Sequence, residues 1–178
     1  MYDYGRCFWQ MERKDSGMLI EIYTDGSSRG NPGPGGYGII MRAPSINYEK
    51  RIAEGFRMTT NNRMELLSVI VAIEMVKGEG HDVHIYSDSR YVTDAINKGW
   101  LRGWAQKGFA GKKNPDLWRR YLGTVGKHRL TFHWIKGHAS HPENEACDKM
   151  AVEAATAPSQ MLHIDHYFEK VEIINKKE

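Results

Sequence analysis

The stretch from Ile20 to Gly38, Ile-Glu-Ile-Tyr-Thr-Asp-Gly-Ser-Ser-Arg-Gly-Asn-Pro-Gly-Pro-Gly-Gly-Tyr-Gly, constrains the fold more than any other part of the chain. Its first half alternates, with Ile20, Ile22 and Thr24 on one side and Glu21, Tyr23 and Asp25 on the other, the pattern of a half-buried strand. The Gly/Ser/Asn/Pro run that follows ends the strand and forces a turn. A second apolar run, Tyr37 to Met41, comes after it, so the segment reads as a hairpin. Asp25 then sits at the last ordered position of the first strand, and Gly26 beside it lets a backbone or a ligand approach closely. A carboxylate so placed suits a hydrated cation. An ordinary Asp-Gly turn is the plainer interpretation of the same residues.

The rest of the chain alternates between strand and helix signals. A turn near Ala43-Pro44-Ser45 leads into a strand from about Tyr48 to Arg57, and short turns of this kind make the opening strands antiparallel. Thr59-Thr60-Asn61-Asn62-Arg63-Met64-Glu65 precedes a helical run from Met64 to Lys77, with Thr60 and Asn61 as candidate caps. Leu66, Leu67, Ile70, Val71, Ile73 and Met75 make that helix apolar enough to be buried. A strand over His81–Ser87, with Val83 and Ile85 inward, ends at Ser87-Asp88-Ser89, and a short helix covers Arg90–Asn97. Further on come a helix over Asp116–Val125, a strand over Arg129–Ile135 and a loop from Lys136 to Pro142. The last long helix, Glu143 to Thr156, is stopped by Pro158. Residues 1–17 read as an N-terminal appendage without a clear period, and 159–178 as a C-terminal tail with no assignment. This is an α/β pattern: a mixed sheet with helices packed on it, in one domain spanning 18–158.

Composition excludes some classes. With 26% charged and 40% hydrophobic residues among 178, the chain has the make-up of a soluble globular protein. It has no apolar run near the roughly 20 residues that a membrane span needs. Residues 1–17 carry charges throughout and no apolar segment, so no secretory signal is expected. Cys7 and Cys147 lack metal-ligand spacing, which points to a reducing, cytoplasmic setting without a disulfide. The net charge of +3 is unevenly spread. Lys98, Arg102, Lys107, Lys112, Lys113, Arg119 and Arg120 face only Asp116 over residues 98–120, and Trp100, Trp104, Phe109 and Trp118 lie among them.

Four acidic residues stand out by position: Asp25 and Asp88 at strand ends, Glu65 in the first turn of the long helix, and Asp148 one turn into the last one. Strand ends and helix N-termini of such a sheet converge on one edge, where α/β proteins place ligands. Carboxylates gathered there repel one another, and divalent cations offset that cost. An all-oxygen site suits Mg²⁺ or Mn²⁺. Two ions about 3.5–4 Å apart would bracket a phosphodiester, activating water on one side and stabilising the leaving oxygen on the other. Taken singly, each acid also reads as an ordinary turn Asp or helix-start Glu.

The strings Tyr-Thr-Asp-Gly-Ser-Ser-Arg-Gly-Asn-Pro-Gly-Pro-Gly-Gly-Tyr-Gly, Thr-Thr-Asn-Asn-Arg-Met-Glu at 59–65 and Ser-Asp-Ser at 87–89 resemble, in order and spacing, bacterial-type type 1 ribonucleases H. So does Trp-Ile-Lys-Gly-His-Ala-Ser-His-Pro-Glu-Asn-Glu-Ala-Cys-Asp at 134–148. The resemblance runs from about residue 19 to 157. It implies a ribonuclease H-like mixed five-stranded sheet with helices on both faces. It also implies endonucleolytic hydrolysis of the RNA strand of an RNA–DNA hybrid, leaving 3′-hydroxyl and 5′-phosphate ends. Two Mg²⁺ ions would serve, with Mn²⁺ as a substitute. Asp25, Glu65, Asp88 and Asp148 resemble the metal-binding carboxylates, with Asp25 bridging and Gly26 beside it as a further ligand. His138 matches the catalytic histidine, which moves protons or assists product release. Glu145 resembles an auxiliary acid near the metals.

The resemblance also implies a substrate surface. Telling a hybrid from duplex DNA requires short polar groups at the 2′-hydroxyls, and Gly26, Ser27, Ser28, Asn31, Asn61 and Asn62 resemble that contact set. Thr60 and Asn31 match a pocket for a DNA phosphate. The stretch 98–113 resembles the basic handle that holds the DNA strand, with Trp100, Trp104, Lys107, Lys112 and Lys113 as contacts. Arg90 stands where bacterial members often have Gln, adding charge near the RNA strand. The loop between Phe109 and Leu117 is shorter than is usual, and residues 1–17 show no hybrid-binding-domain pattern. Integrases and transposases share the fold but would lack the Thr-Thr-Asn-Asn-Arg-Met-Glu string and the handle. A hybrid-binding module without chemistry would have lost an acid. A monomer acting on hybrid, with no membrane partner, is the expectation.

Overall fold

In a computed structural model of the chain, which describes residues 17–137 and 141–175 and their side chains as far as 171, the opening alternation forms β1, Leu19–Ser28. It is followed by β2 (Gly33–Ala43), β3 (Tyr48–Thr59), α1 (Asn61–Met75), β4 (Asp82–Ser87) and α2 (Arg90–Asn97). Then come α3 (Trp100–Gln106), α4 (Pro115–Thr124), β5 (Arg129–Trp134), α5 (Pro142–Ala155) and α6 (His166–Asn175). The five strands lie in the order β3-β2-β1-β4-β5. The first three pair antiparallel, whereas β1, β4 and β5 run parallel, so the sheet is mixed. Among the described residues no helix is long and apolar enough to cross a membrane.

Several boundaries differ from the sequence reading, each for a physical reason. β1 does not end at Asp25: Gly26, Ser27 and Ser28 continue it because they pair with Tyr37, Gly36 and Gly35 of β2. A ladder partner therefore overrides the poor strand propensity of Gly and Ser, and only Arg29–Pro32 forms the turn. α1 begins three residues before Met64, because Thr60 alone is the cap, its hydroxyl accepting the Arg63 N–H, and Asn61 is already helical. Glu65 consequently lies just past the first turn. The basic stretch contains a helix of its own, α3. Gly99, in the left-handed region at φ 71°, separates it from α2, while Leu101 is buried and Trp104 meets Trp118 edge-on.

One apolar core lies between the sheet and α1. It joins Ile20 and Ile22 of β1, Ile39 of β2, Val83 and Ile85 of β4 and the buried residues of α1 to Val92, Trp118 and Tyr121. The other sheet face is covered by α5 through Asn144, Cys147, Ala151 and Ala155, spaced three to four apart. That helix lies directly on the strands because β2 offers Gly38 beneath it, where any side chain would collide with the Cys147 backbone. After Pro158 the chain makes a 3₁₀ turn at Ser159–Met161 and bridges to β3 between His163 and Phe56 before entering α6.

Candidate active site

β1 and β4 are adjacent and parallel, and their last registered pair is Tyr23 with Tyr86. Asp25 and Asp88 each follow that pair by two residues and emerge side by side on the same face. The third carboxylate arrives from α1. Gly26 makes this possible, since a Cβ there would strike the backbone at Met64 and Glu65, so α1 comes within backbone contact of β1 at that point. Ligand oxygens of Asp25, Glu65 and Asp88 lie within 4.8 Å of one another, the one group of three among the described residues able to hold a metal ion. Asp25 is buried at 8% exposure, and its Oδ1 accepts the Gly26 N–H at 2.7 Å.

The electrostatics of this cluster are unfavourable without a cation. Burial, then the charges of Asp88 and Glu65, push the Asp25 carboxyl up to about 8, against a partial opposing effect of the Gly26 N–H. Glu65 is pushed up to about 7, chiefly by burial with a contribution from Asp88, while the Ser89 hydroxyl, near it but not within hydrogen-bonding geometry, and the Asn61 amide pull it down. Asn61 Nδ2 donates to Glu65 Oε1 at 2.8 Å, yet the other oxygen, Oε2, is buried with no hydrogen-bond partner. Asp148 stands on α5 beside the Cys147–Gly38 contact, and Gly38 is the ladder partner of Asp25. It lies outside the group of three, but its charge also raises Asp25, as the weakest of the contributions. Three acids, one orphaned carboxylate oxygen and no cationic side chain in the group make a candidate divalent-cation site.

Around the cluster the sequence motifs meet again. The backbone carbonyl of Asp88 accepts the Trp134 indole N–H at 3.0 Å, and the Arg90 guanidinium stacks 3.8 Å over the Trp134 ring. Gly137 closes against the Asp88 carboxylate. The sequence profile of the RNase H family matches residues 18–156. The chain belongs to the RNase H family. The ribonuclease H of Desulforamulus reducens is 49% identical over 150 residues, covering 82% of this chain and 92% of that one. The ribonuclease H of Shewanella amazonensis is 51% identical over 148 residues, covering 80% and 92%. Among solved structures, LC9-RNase H1, a type 1 RNase H with the type 2 active-site motif, superposes with a TM-score of 0.68 at 35% identity, over 78% of this chain and 72% of that one. LC11-RNase H1, solved in complex with an RNA/DNA hybrid, gives 0.55 at 26% identity, over 76% and 96%. This chain is accordingly a type 1 RNase H and a hydrolase, and its five-stranded mixed sheet is the fold of those neighbours.

The RNase H fold places the remaining candidates as follows. Ser27 and Ser28 are half-buried at the end of β1, and exposed Asn31 caps the approach, its Oδ1 accepting the Asn61 N–H at 3.2 Å. Asn31, Thr60 and Asn62 share a cleft of about 470 Å³ with Lys112, Lys113 and Asn114. Trp100 is 47% exposed with the Lys98 ammonium 5.0 Å from its ring, whereas Trp104 is half-buried under Lys112. Lys107 is exposed. Glu145 is exposed in the first turn of α5, outside the group of three acids. His138 lies outside the described residues.

Sequence reasoning gave no role to Arg63, Asn114 or Trp134, although Arg63 and Trp134 stand in the family strings. Arg63 is buried at 2% exposure, and its guanidinium forks onto Asp165 at 2.7 and 2.9 Å and onto Asp116 at 2.9 and 2.8 Å. Its sequence signals were its place in the Thr-Thr-Asn-Asn-Arg-Met-Glu string and an arginine in a helix start bound for the core. Trp134 opens the family string at 134–148 but was given no role beyond that of a strand residue. Its exposure at 40% on a strand end was the missing information.

Proposed function

We propose that this RNase H hydrolyses the RNA strand of RNA–DNA hybrids with divalent cations held between Asp25, Glu65, Asp88 and Asp148. The observation that carries the reading is the convergence of three carboxylates within 4.8 Å, two of them with raised pKa and one with an oxygen buried and unpartnered. All the donors are oxygen, so Mg²⁺ is the expected ion, two per site, with Mn²⁺ as a substitute. Bound there, the ions would supply an activated water and charge stabilisation of the leaving oxygen, which gives 3′-hydroxyl and 5′-phosphate ends.

The chain's own groups have separate tasks. Asp25, at the centre of the cluster, would be the ligand common to both ions, with Gly26 beside it. Glu65 and Asp88 hold the flanks, and Asp148 tunes the charge from α5. Trp134 fixes the Asp88 backbone and Arg90 stacks over Trp134, which directs the Arg90 charge toward the RNA backbone. His138 transfers a proton or helps the product leave, and Glu145 assists as an auxiliary acid. Ser27, Ser28, Asn61 and Asn62 read the minor groove and its 2′-hydroxyls, while Asn31 and Thr60 seat a DNA phosphate. Residues 98–113 form the handle, through Trp100, Trp104, Lys107, Lys112 and Lys113. LC11-RNase H1 bound to hybrid supports this substrate class. Residues 18–158 constitute the catalytic domain, acting as a monomer. Incubating end-labelled hybrid, single-stranded RNA and duplex DNA with Mg²⁺ or EDTA tests the reading. RNA-strand cleavage of the hybrid alone, abolished by EDTA, is expected, and Mg²⁺-independent cleavage or equal cutting of single-stranded RNA would overturn it.

A further inference from the structure

The family match stops at residue 156, yet the chain continues into α6, and α6 is fastened with care. Asp165 grips Arg63 and also accepts the Phe168 N–H at 3.1 Å, which caps the first turn of the helix. From β3, Arg57 holds Glu169 through three hydrogen bonds of 2.6 to 3.1 Å. These restraints turn the Tyr167–Val171 side of α6 toward the 470 Å³ cleft that also holds Asn62, Lys112 and Lys113. Tyr167 is 43% exposed and rests 5.6 Å from the Arg63 guanidinium, and Val171 is 36% exposed. The Arg63 charge is already engaged by two carboxylates. Among the described residues neither Lys112 nor Lys113 is paired with an acid. Among the described residues the cleft thus presents two lysines without an acidic partner, Lys112 resting over the Trp104 ring, beside an apolar ledge.

We propose that α6 is an additional contact for the DNA strand of the hybrid, in which Lys112 and Lys113 take a phosphate and Tyr167 with Val171 meets the sugar edge of the adjoining nucleotide. The inference rests on the hybrid-hydrolysis reading above. Unpaired lysines select a polyanion. The ledge selects the sugar: a deoxyribose offers an apolar edge, whereas a ribose would bury its 2′-hydroxyl against a ring and a valine with no partner. A tyrosine suits this place because it gives rigid apolar area with a polar tip at the rim.

The test is steady-state kinetics of the full chain on hybrids whose DNA strand carries a single ribonucleotide moved along its length. Tyr167→Ala should raise KM for all-DNA-strand hybrid about five- to tenfold, with kcat and melting temperature unchanged, while Tyr167→Phe stays near wild type. Wild type should show one position where the ribonucleotide raises KM, and Tyr167→Ala should lose that position. Val171→Glu, which adds a negative charge to the exposed ledge, should raise KM similarly. An unchanged KM in Tyr167→Ala and Val171→Glu, or the same ribonucleotide profile as wild type, overturns the α6 contact and leaves the hydrolysis reading intact. A wild type that fails to cut hybrid overturns both.

Discussion

Two buried charge clusters lie two residues apart on α1, and they are opposites. Arg63 meets Asp116 and Asp165 through four hydrogen bonds of 2.7 to 2.9 Å, and although burial opposes its charge, the two acids hold the guanidinium even more firmly protonated than usual. Glu65 meets Asp25 and Asp88 with no cation in the group, and two of the three are pushed toward neutrality. Both clusters cost desolvation. Among the described residues only the first is compensated, which makes the first architecture and the second a candidate site for cations. The same Thr-Thr-Asn-Asn-Arg-Met-Glu string builds both.

Breaking each cluster should give opposite results. Asp25→Asn removes the central acid and should reduce hybrid cleavage to background, while binding is kept or tightened because repulsion is relieved. Near wild-type cutting by the purified variant would remove the site from consideration. Arg63→Ala leaves buried Asp165 and half-buried Asp116 unpaired and should cost about 3–5 kcal/mol of stability, read as a lower melting temperature, with turnover per folded molecule little changed. A collapse of turnover without loss of stability would place Arg63 in the chemistry instead.

Two smaller effects sharpen the contrast. Asp148→Asn takes charge from the rim of the acidic cluster and should lower turnover more at low Mg²⁺ than at high, as seen in a Mg²⁺ titration. Neutralising the exposed Lys107, Lys112 and Lys113 together touches neither cluster. It should raise KM several-fold and flatten the logarithmic salt dependence by roughly 0.9 for each phosphate no longer neutralised. Turnover at saturating hybrid should hold, because such phosphate interactions bind ground and transition states alike.

What the sequence made legible was whatever has a local signature. Alternation from Ile20 to Thr24 and the apolar density of α1 placed the central elements, and the family strings marked Asp25, Glu65 and Asp88, which the fold brings together. The extension of β1 to Ser28 was hidden because it depends on a partner strand rather than on Gly and Ser themselves. The bond between Arg63 and Asp165 spans 102 residues and leaves no local trace. The tail after Pro158 was unreadable for the same reason: its anchor is Arg63, and only in three dimensions does α6 acquire a surface to pack on.

The most direct test of the central claim, that the acidic cluster is electrostatically incomplete without cations, is the melting temperature of wild type and Asp25→Asn from pH 5 to 9, in EDTA and in Mg²⁺. Asp25 and Glu65 have folded pKa values of about 8 and about 7, above their ordinary 3.8 and 4.5, so the folded state holds more protons than the unfolded one across that interval. The stability these groups confer is therefore complete at acid pH and is lost as pH rises through about 8. His128 and His133, whose pKa values are lowered, contribute with the opposite sign, but equally in both proteins. In EDTA, wild type should lose several degrees relative to Asp25→Asn as pH rises from 5 to 9, and Mg²⁺ should restore wild type most at high pH. Parallel pH profiles for the two proteins, with no pH-dependent gain from Mg²⁺, would contradict the account.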